Sequence, residues 1–429
     1  MHELHVAVWS VLPFVGLLLS IALLPLVAEK FWHSNRNRAI VSIGLAIPIV
    51  IYLLFLEFAE HQPGLEKLGH AVHEYVDFIA MLAALYTVAG GIVIAGQFRP
   101  TPWVNTGFFA LGAVLANVIG TTGASMLLIR PLLRINLVRQ NRSHLPIFFI
   151  ILVSNLGGLL TPLGDPPLFL GFLNGVDFFW TLAMAPHWLV VNTLVLAIAF
   201  AWDIRAYRRE PELEQLPAPL ESFALSGTIN FVFLAGVLIA VLLQSSALMG
   251  EHRLTAPWPS LVMGAMALLS CFCTPRELRE RNDFAWDAMI EVAVLFVGIF
   301  ITMIPALELL TQHRDKLGIE QPWQYFWLTG LLSAMLDNAP TYMTFATLAA
   351  GQSNFAALSQ DQKLILQAIS AGAVFMGALT YIGNGPNFMV KSIAERMGYP
   401  MPSFFGYLGY ASAILLPIFA LATWLFFLP

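Results

Sequence analysis

SNLGGLLTPLGDPP, Ser154 to Pro167, is flanked by apolar sequence on both sides, Leu145 to Val153 before it and LFLGFL after it. Either flank reads as membrane helix. The quoted stretch does not, because it holds three glycines, three prolines and one aspartate. Proline removes a backbone donor and clashes with the preceding turn, and glycine relaxes the helix. The spacing therefore predicts a transmembrane helix over 145–175 that is broken at its centre. In lipid, the freed N–H and C=O groups are tolerated only where they are buried in protein or line a wet cavity. A break also aims carbonyls and helix ends at one point, and Ser154, Asn155, Thr161 and Asp165 add side-chain oxygens there. Such a set suits a small hard cation.

The same pattern occurs again further along. Thr161, Gly164, Asp165, Pro167 and Phe169 are matched by Thr380, Gly383, Asn384, Pro386 and Phe388, at a constant offset of 219 positions. A second broken helix is expected over 362–394, with Thr380, Asn384 and Asn387 as its oxygen donors. Two other apolar stretches, 103–129 and 322–350, are interrupted by NVIGTTGAS (117–125) and LDNAPT (336–341). Both read as re-entrant hairpins that enter and leave on one side. Their tips would bring Thr121, Thr122 and Ser125 from one half, and Asp337, Asn338 and Thr341 from the other, to the neighbouring breaks.

The bulk composition agrees with a membrane setting. Of 429 residues, 58% are hydrophobic and 11% are charged, against roughly 25% charged in soluble domains. The reading is an all-α polytopic membrane protein. Ten spans are expected, at 5–28, 39–58, 74–97, 145–175, 185–204, 227–247, 257–273, 286–308, 362–394 and 403–428. The first is too long for a cleavable leader and starts with acidic rather than basic sequence. With the N-terminus outside, the inner segments hold 16 Lys and Arg and the outer segments hold 5. That asymmetry fits the positive-inside rule for a bacterial inner membrane, with both termini outside. It requires both interrupted stretches to be re-entrant.

The polar linker 205–226 divides the chain into two inverted repeats of five spans each, 1–204 and 227–429. Inverted repeats with paired broken helices point to a secondary transporter with its site near the midplane. The net charge of −5 with no basic tail gives no reason to expect a nucleic-acid partner. Cys271 and Cys273 form a lone Cys-Phe-Cys with no supporting histidine cluster, and read as spectator thiols. No cofactor is expected.

Asp165 and Asp337 are the leading candidates for cation and proton coupling, because ionisable residues deep in apolar sequence are rare and usually functional. Each could instead only cap a half-helix. Burial raises a carboxylate pKa and a bound cation lowers it, so one buried Asp can exchange H+ for Na+. Asn155, Asn338 and Asn387, then Ser154, Thr121, Thr122 and Thr380, are the next candidates as ligands. Glu74 and Asp77, and their counterparts Asp287 and Glu291, read as interface residues with a proton path as the other reading. His70 and His73 read as exposed loop residues. Arg130, Arg134, Arg139 and Arg142 read as anchors of the inner face.

The Ser-Asn-x-Gly-Gly…Thr-Pro-x-Gly-Asp-Pro-Pro stretch and LDNAPT resemble the ion transporter superfamily, specifically NhaD-type sodium/proton antiporters and their arsenite-pump and citrate-transporter-like relatives. The resemblance covers nearly the whole chain. It implies a homodimer in which spans 1–3 and 6–8 form a scaffold, while the hairpins, broken helices and closing spans move like an elevator. Asn155, Asp165, Asp337 and Asn387 match positions that look like that family's cation and proton site. The NhaD type carries an Asp-Asn pair at the first hairpin tip, where this chain has Gly120-Thr121. The expected activity is Na+ or Li+ exchange for H+, with Na+-coupled uptake of citrate, a dicarboxylate or an oxyanion as the alternative. A channel would lack gradient coupling. An intramembrane aspartyl protease is disfavoured because Pro162 precedes Leu163-Gly164-Asp165 where its Gly-x-Gly-Asp motif would need glycine.

Overall fold

The computed structural model describes residues 4–96, 98–211, 213, 224–282, 284–313, 318–351 and 353–428. Linker residues 212 and 214–223 lie outside these, as do Arg314 and Lys316, two of the five Lys and Arg counted on the outer side. The chain is an all-α polytopic membrane protein. Among the described residues, seven helices are long and apolar enough to cross a membrane. An eighth is added if Phe355–Asp361 and Lys363–Leu379, bent by 112°, count as one span. The sequence predicts ten crossings. The difference comes from how the apolar sequence is interrupted. His144–Leu159, Asn230–Leu242 and Trp258–Cys273 are apolar but short. At 1.5 Å per residue, the 13 residues of Asn230–Leu242 reach about 20 Å, against a hydrocarbon core of about 30 Å.

Pro102–Ile135 is counted among the long helices, yet it folds back on itself. Gly120 sits inside it at φ 74°, ψ 157°, a left-handed conformation that glycine alone adopts without strain. Asn105 near one end and Asn136 just past the other exchange hydrogen bonds of 3.1 and 2.7 Å, which a straight helix of that length would keep far apart. The stretch is a hairpin with its tip at Gly120. Its start is set by Pro102 at the first helical position and by Thr101, whose hydroxyl accepts from the Val104 N–H. The second hairpin joins Pro322–Met335 to Asn338–Ala350, with Leu336 and Asp337 extended at the tip. A reciprocal pair of glutamine caps, Gln321 and Gln324, opens it.

Two further stretches of helix are interrupted. His144–Leu152 stops before a single turn at Leu156–Leu159, and helix resumes at Pro166–Leu173. Lys363–Met376 stops before Gly377–Leu379, and helix resumes at Gly385–Arg396. In both cases proline stands in the first turn of the resumed helix, where its missing N–H costs nothing.

One group of helices packs Asn35–Glu60 and Gly64–Ala89 on Asp287–His313, with Trp258–Cys273 on Gly64–Ala89. Phe78 stacks on Phe296 at 4.9 Å inside this group, and Arg38 pairs with Glu291 at 3.1 Å. The other group holds the hairpins and broken helices. The hairpins touch the first group through Gly64–Ala89 and Asp287–His313.

Several expectations change. The third span, expected at 74–97, is the helix Gly64–Ala89, followed by a strand Val93–Ala95 paired antiparallel with Ala224–Ser226. The ribbon was missed because three-residue strands leave no periodicity to read. His70 and His73 are exposed, but they lie on that helix rather than in a loop, one turn before Glu74 and Asp77. Glu74 and Asp77 are buried, and they accept hydrogen bonds from Asn174 and Ser260. Arg130 and Arg139 are not surface anchors, being 5% and 2% exposed. Arg139 is paired with the buried Asp203 at 2.5 Å.

The loop carrying Arg139 is also fixed by the buried Glu210. The carboxylate accepts the Gln140 and Asn141 N–H groups at 2.7 and 2.6 Å. Burial acts to raise the Glu210 pKa, but these two amides, the Asn141 side chain and the Arg139 charge together outweigh it and hold the group below its usual 4.5. A depressed pKa means the stabilisation is present above the unfolded value and is lost as pH falls through the folded one. Glu210→Gln is therefore expected to lower the melting temperature at pH 7 and to shrink the loss of stability on going from pH 5 to pH 3. Melting the purified protein in detergent across that range checks it.

Candidate functional site

The site is built from the two breaks and the two hairpin tips. The first question is where the broken backbone finds its partners. In the first break, Leu156 O accepts from Asn192, Gly157 O from Asn117 and Trp188, and Leu160 O from Thr181. The Leu160 N–H donates to Asn117 Oδ1 at 2.8 Å, and Thr161 Oγ1 donates to Asn117 O at 2.5 Å. Asn117 thus supports the break from the first hairpin. It lies within the quoted tip but was not singled out. An amide inside an otherwise apolar helix was the available signal. In the second break, Thr380 Oγ1 donates to Ala334 O at 2.5 Å, and Asn387 Nδ2 donates to Gly377 O and Thr380 O at 2.9 Å each.

Tip and break meet through main chain as well. Thr121 N donates to Gly164 O at 2.9 Å. Gly158 and Gly164 cross so closely that a Cβ on Gly164 would lie 2.1 Å from Gly158 O. These contacts bring Asp165 to the centre.

Asp165 is 1% exposed and begins the resumed helix, but its side chain caps nothing there. Its carboxylate points away, toward three other segments. Oδ1 accepts from Thr121 Oγ1 at 2.9 Å and from Asn384 Nδ2 at 2.9 Å. Oδ2 accepts from Asn338 Nδ2. The donors come from the first hairpin tip, the second break and the second hairpin tip. All are neutral. Neither tip nor either break contains Lys or Arg.

A second layer surrounds this carboxylate. Asn384 Nδ2 also reaches Ser154 O at 3.0 Å, Ser154 Oγ lies 2.8 Å from Ser125 Oγ, and Asn155 Nδ2 donates to Asn387 Oδ1 at 2.7 Å. Two buried amide oxygens, Asn155 Oδ1 and Asn338 Oδ1, have no hydrogen-bond partner among the described residues. Buried acceptors of this kind are rare and call for an explanation.

The structure does not gather every candidate at this point. Asp337 is half-buried, and its side chain caps its own helix at Ala339 N, 3.1 Å away. Its neighbour Asn338 is the residue of this tip that reaches Asp165. Thr341 bonds back to Asp337 O at 2.9 Å. Thr161 and Thr380 use their hydroxyl protons on backbone carbonyls. Thr122 lines a small cavity beside the first tip, with Thr121, Gly164 and Tyr86. Cys271 and Cys273 are exposed and unbridged.

A family model described as "Putative citrate transport" matches residues 2–427. A "46 kDa membrane protein" of Mycobacterium leprae is 26% identical over 314 residues, 68% of each chain. "Uncharacterized transporter" proteins of Mycobacterium bovis and Mycobacterium tuberculosis are each 23% identical over 393 residues, 86% of this chain and 88% of theirs.

Proposed function

The chain belongs to the family described as "Putative citrate transport", and from that premise we propose that it exchanges Na+ or Li+ for H+ at Asp165. It is a multi-pass membrane transporter rather than an enzyme. The observation that carries the finer reading is a buried carboxylate held by three neutral donors from three segments, with no cationic side chain in the tips or breaks. An isolated charge in a low-dielectric interior is costly, so such a group takes up a proton or a cation. The two compete, and competition is enough for exchange. Asn155 Oδ1 and Asn338 Oδ1 are spare oxygen ligands suited to the cation. Asp337, beside Asn338 at the second hairpin tip, is the second acid proposed for coupling.

The proposed movement is elevator-like. The hairpins and broken helices shift together against the group formed by Asn35–Glu60, Gly64–Ala89 and Asp287–His313, as two inverted repeats in a homodimer. The proposed setting is a bacterial inner membrane, with both termini outside.

The family description favours a second reading, Na+-coupled uptake of citrate or another carboxylate. The same amides would then serve Na+, and half-helix N-termini would meet the anion. The fixed Asp165 charge opposes an anion at the same point.

Proteoliposomes carrying a pH-sensitive dye and a standing proton gradient separate the two. Addition of Na+ or Li+ with no organic anion is expected to dissipate the gradient, and K+ is expected not to. A gradient unmoved by Na+ alone, together with citrate accumulation that requires Na+, would replace the first reading with the second.

A further inference from the structure

The base of the first hairpin holds a buried ionic cluster that the exchange chemistry does not use. Asp203, 1% exposed, lies near the end of the helix Ala185–Tyr207. Its Oδ1 takes Arg139 Nη2 at 2.5 Å and His144 Nε2 at 2.9 Å, and its Oδ2 takes Asn105 Nδ2 at 2.7 Å. These three partners sit on different parts of the site's framework. Asn105 is on the outgoing leg of the hairpin. Arg139 follows the returning leg, whose end at Asn136 is itself bonded to Asn105. His144 is the first residue of the helix that leads to Ser154 and Asn155. One carboxylate therefore fixes both legs of the hairpin and the lead-in to the first break. The positions 219 further on hold Gln324, Phe355, Leu358, Lys363 and Ala422, so these residues are not repeated in the second half.

We propose that Asp203 is a positioning residue of the transport site, setting from the hairpin base the spacing at which Thr121, Ser125 and Ser154 meet at the tip. The inference rests on the Asp165 region being that site. The leg from tip to base is about 20 Å at 1.5 Å per residue, so a tilt of about 3° at the base moves the tip by about 1 Å. A displacement on that scale breaks hydrogen-bond contacts such as the 2.8 Å approach of Ser125 to Ser154 and the 2.9 Å bond of Thr121 to Asp165, which weakens binding at the site.

The test reads geometry and transport separately. With Cys271 and Cys273 replaced by Ser, Ser125→Cys and Ser154→Cys place two thiols where the hydroxyls lie 2.8 Å apart. The rate of oxidant-driven cross-linking in membranes then reports how tip and break meet. Asp203→Asn is expected to slow it about tenfold or more. In the protein without introduced thiols, it is expected to raise the half-saturating Na+ concentration while the maximal rate changes little. A merely structural role would instead lower the amount of active protein and leave half-saturation unchanged.

Asp203→Asn strands the Arg139 charge and can prevent folding. Asn105→Ala severs the link to the outgoing leg without stranding a charge, and decides the matter in that case. Unchanged cross-linking and half-saturation in whichever variant folds would overturn the proposal. Slowed cross-linking in a protein whose parent shows no Na+ response would keep the positioning role and remove the cation reading.

Discussion

Asp165→Asn is expected to reduce cation/proton exchange by about 100-fold or more, to the level of empty liposomes, while the protein still folds. The carboxylate accepts Thr121 and Asn384 on one oxygen and Asn338 on the other. Asparagine offers one acceptor oxygen and one NH2. Turned either way, it faces at least one existing donor with another donor. A buried polar group that loses its partner costs about 1–3 kcal/mol, which a protein of this size tolerates. What it cannot replace is the proton site, because an amide does not titrate in this range. The measurement is the dye assay on reconstituted protein whose elution profile matches wild type. Residual Na+-driven exchange above about a tenth of the wild-type rate would show that Asp165 is not the coupling residue, and Asp337 would be the group to examine.

Gly164→Ala is expected to be more damaging still, through shape rather than charge. The added Cβ would lie 2.1 Å from Gly158 O, a backbone atom with no rotamer to escape into. Gly164 O also receives the Thr121 N–H at 2.9 Å, so moving the break pulls the hairpin tip with it. Overpacking of this kind costs roughly 3 kcal/mol or more. The expected result is loss of most of the correctly folded protein, read by fluorescence-detected size-exclusion chromatography. Gly385→Ala is the control: its Cβ would meet nothing within 4 Å, and normal yield is expected. Normal yield for Gly164→Ala would mean that Gly158 and Gly164, within the first break, do not cross as closely as described.

Particular residues show what the sequence could and could not tell. The breaks were legible because proline and glycine act locally, so TPLGDPP stops a helix whatever surrounds it. The hairpin at Gly120 was legible for the same reason, together with its polar tip. Span ends were less so. Glu74 and Asp77 were read as the start of a helix that begins at Gly64, because charged residues resemble an interface until the partners Asn174 and Ser260 are known. Arg139 and Asp203 were the clearest miss. They are 64 positions apart, and only the fold makes them one buried pair. A positive-inside count treats every arginine alike and cannot separate a surface anchor from an internal strut. The role of Asp165 was likewise ambiguous from local sequence, since Asp before Pro is an ordinary helix cap. Its three distant partners distinguish a central acceptor from a cap.

Those distant partners also set an order of events during synthesis. Thr121 precedes Asp165 on the ribosome, but Asn338 and Asn384 follow it, the last by 219 residues. At 5–20 residues per second, roughly 10–40 s pass between the making of Asp165 and the arrival of its final ligand. Until Asn338 follows, 173 residues after Asp165, the nascent first half holds an aspartate in a membrane span with one of its three permanent partners, and with two from then until Asn384. Water, a proton or a membrane chaperone must occupy the remaining places. Half of the protein is therefore an intermediate that waits, and the second half completes the first as well as itself.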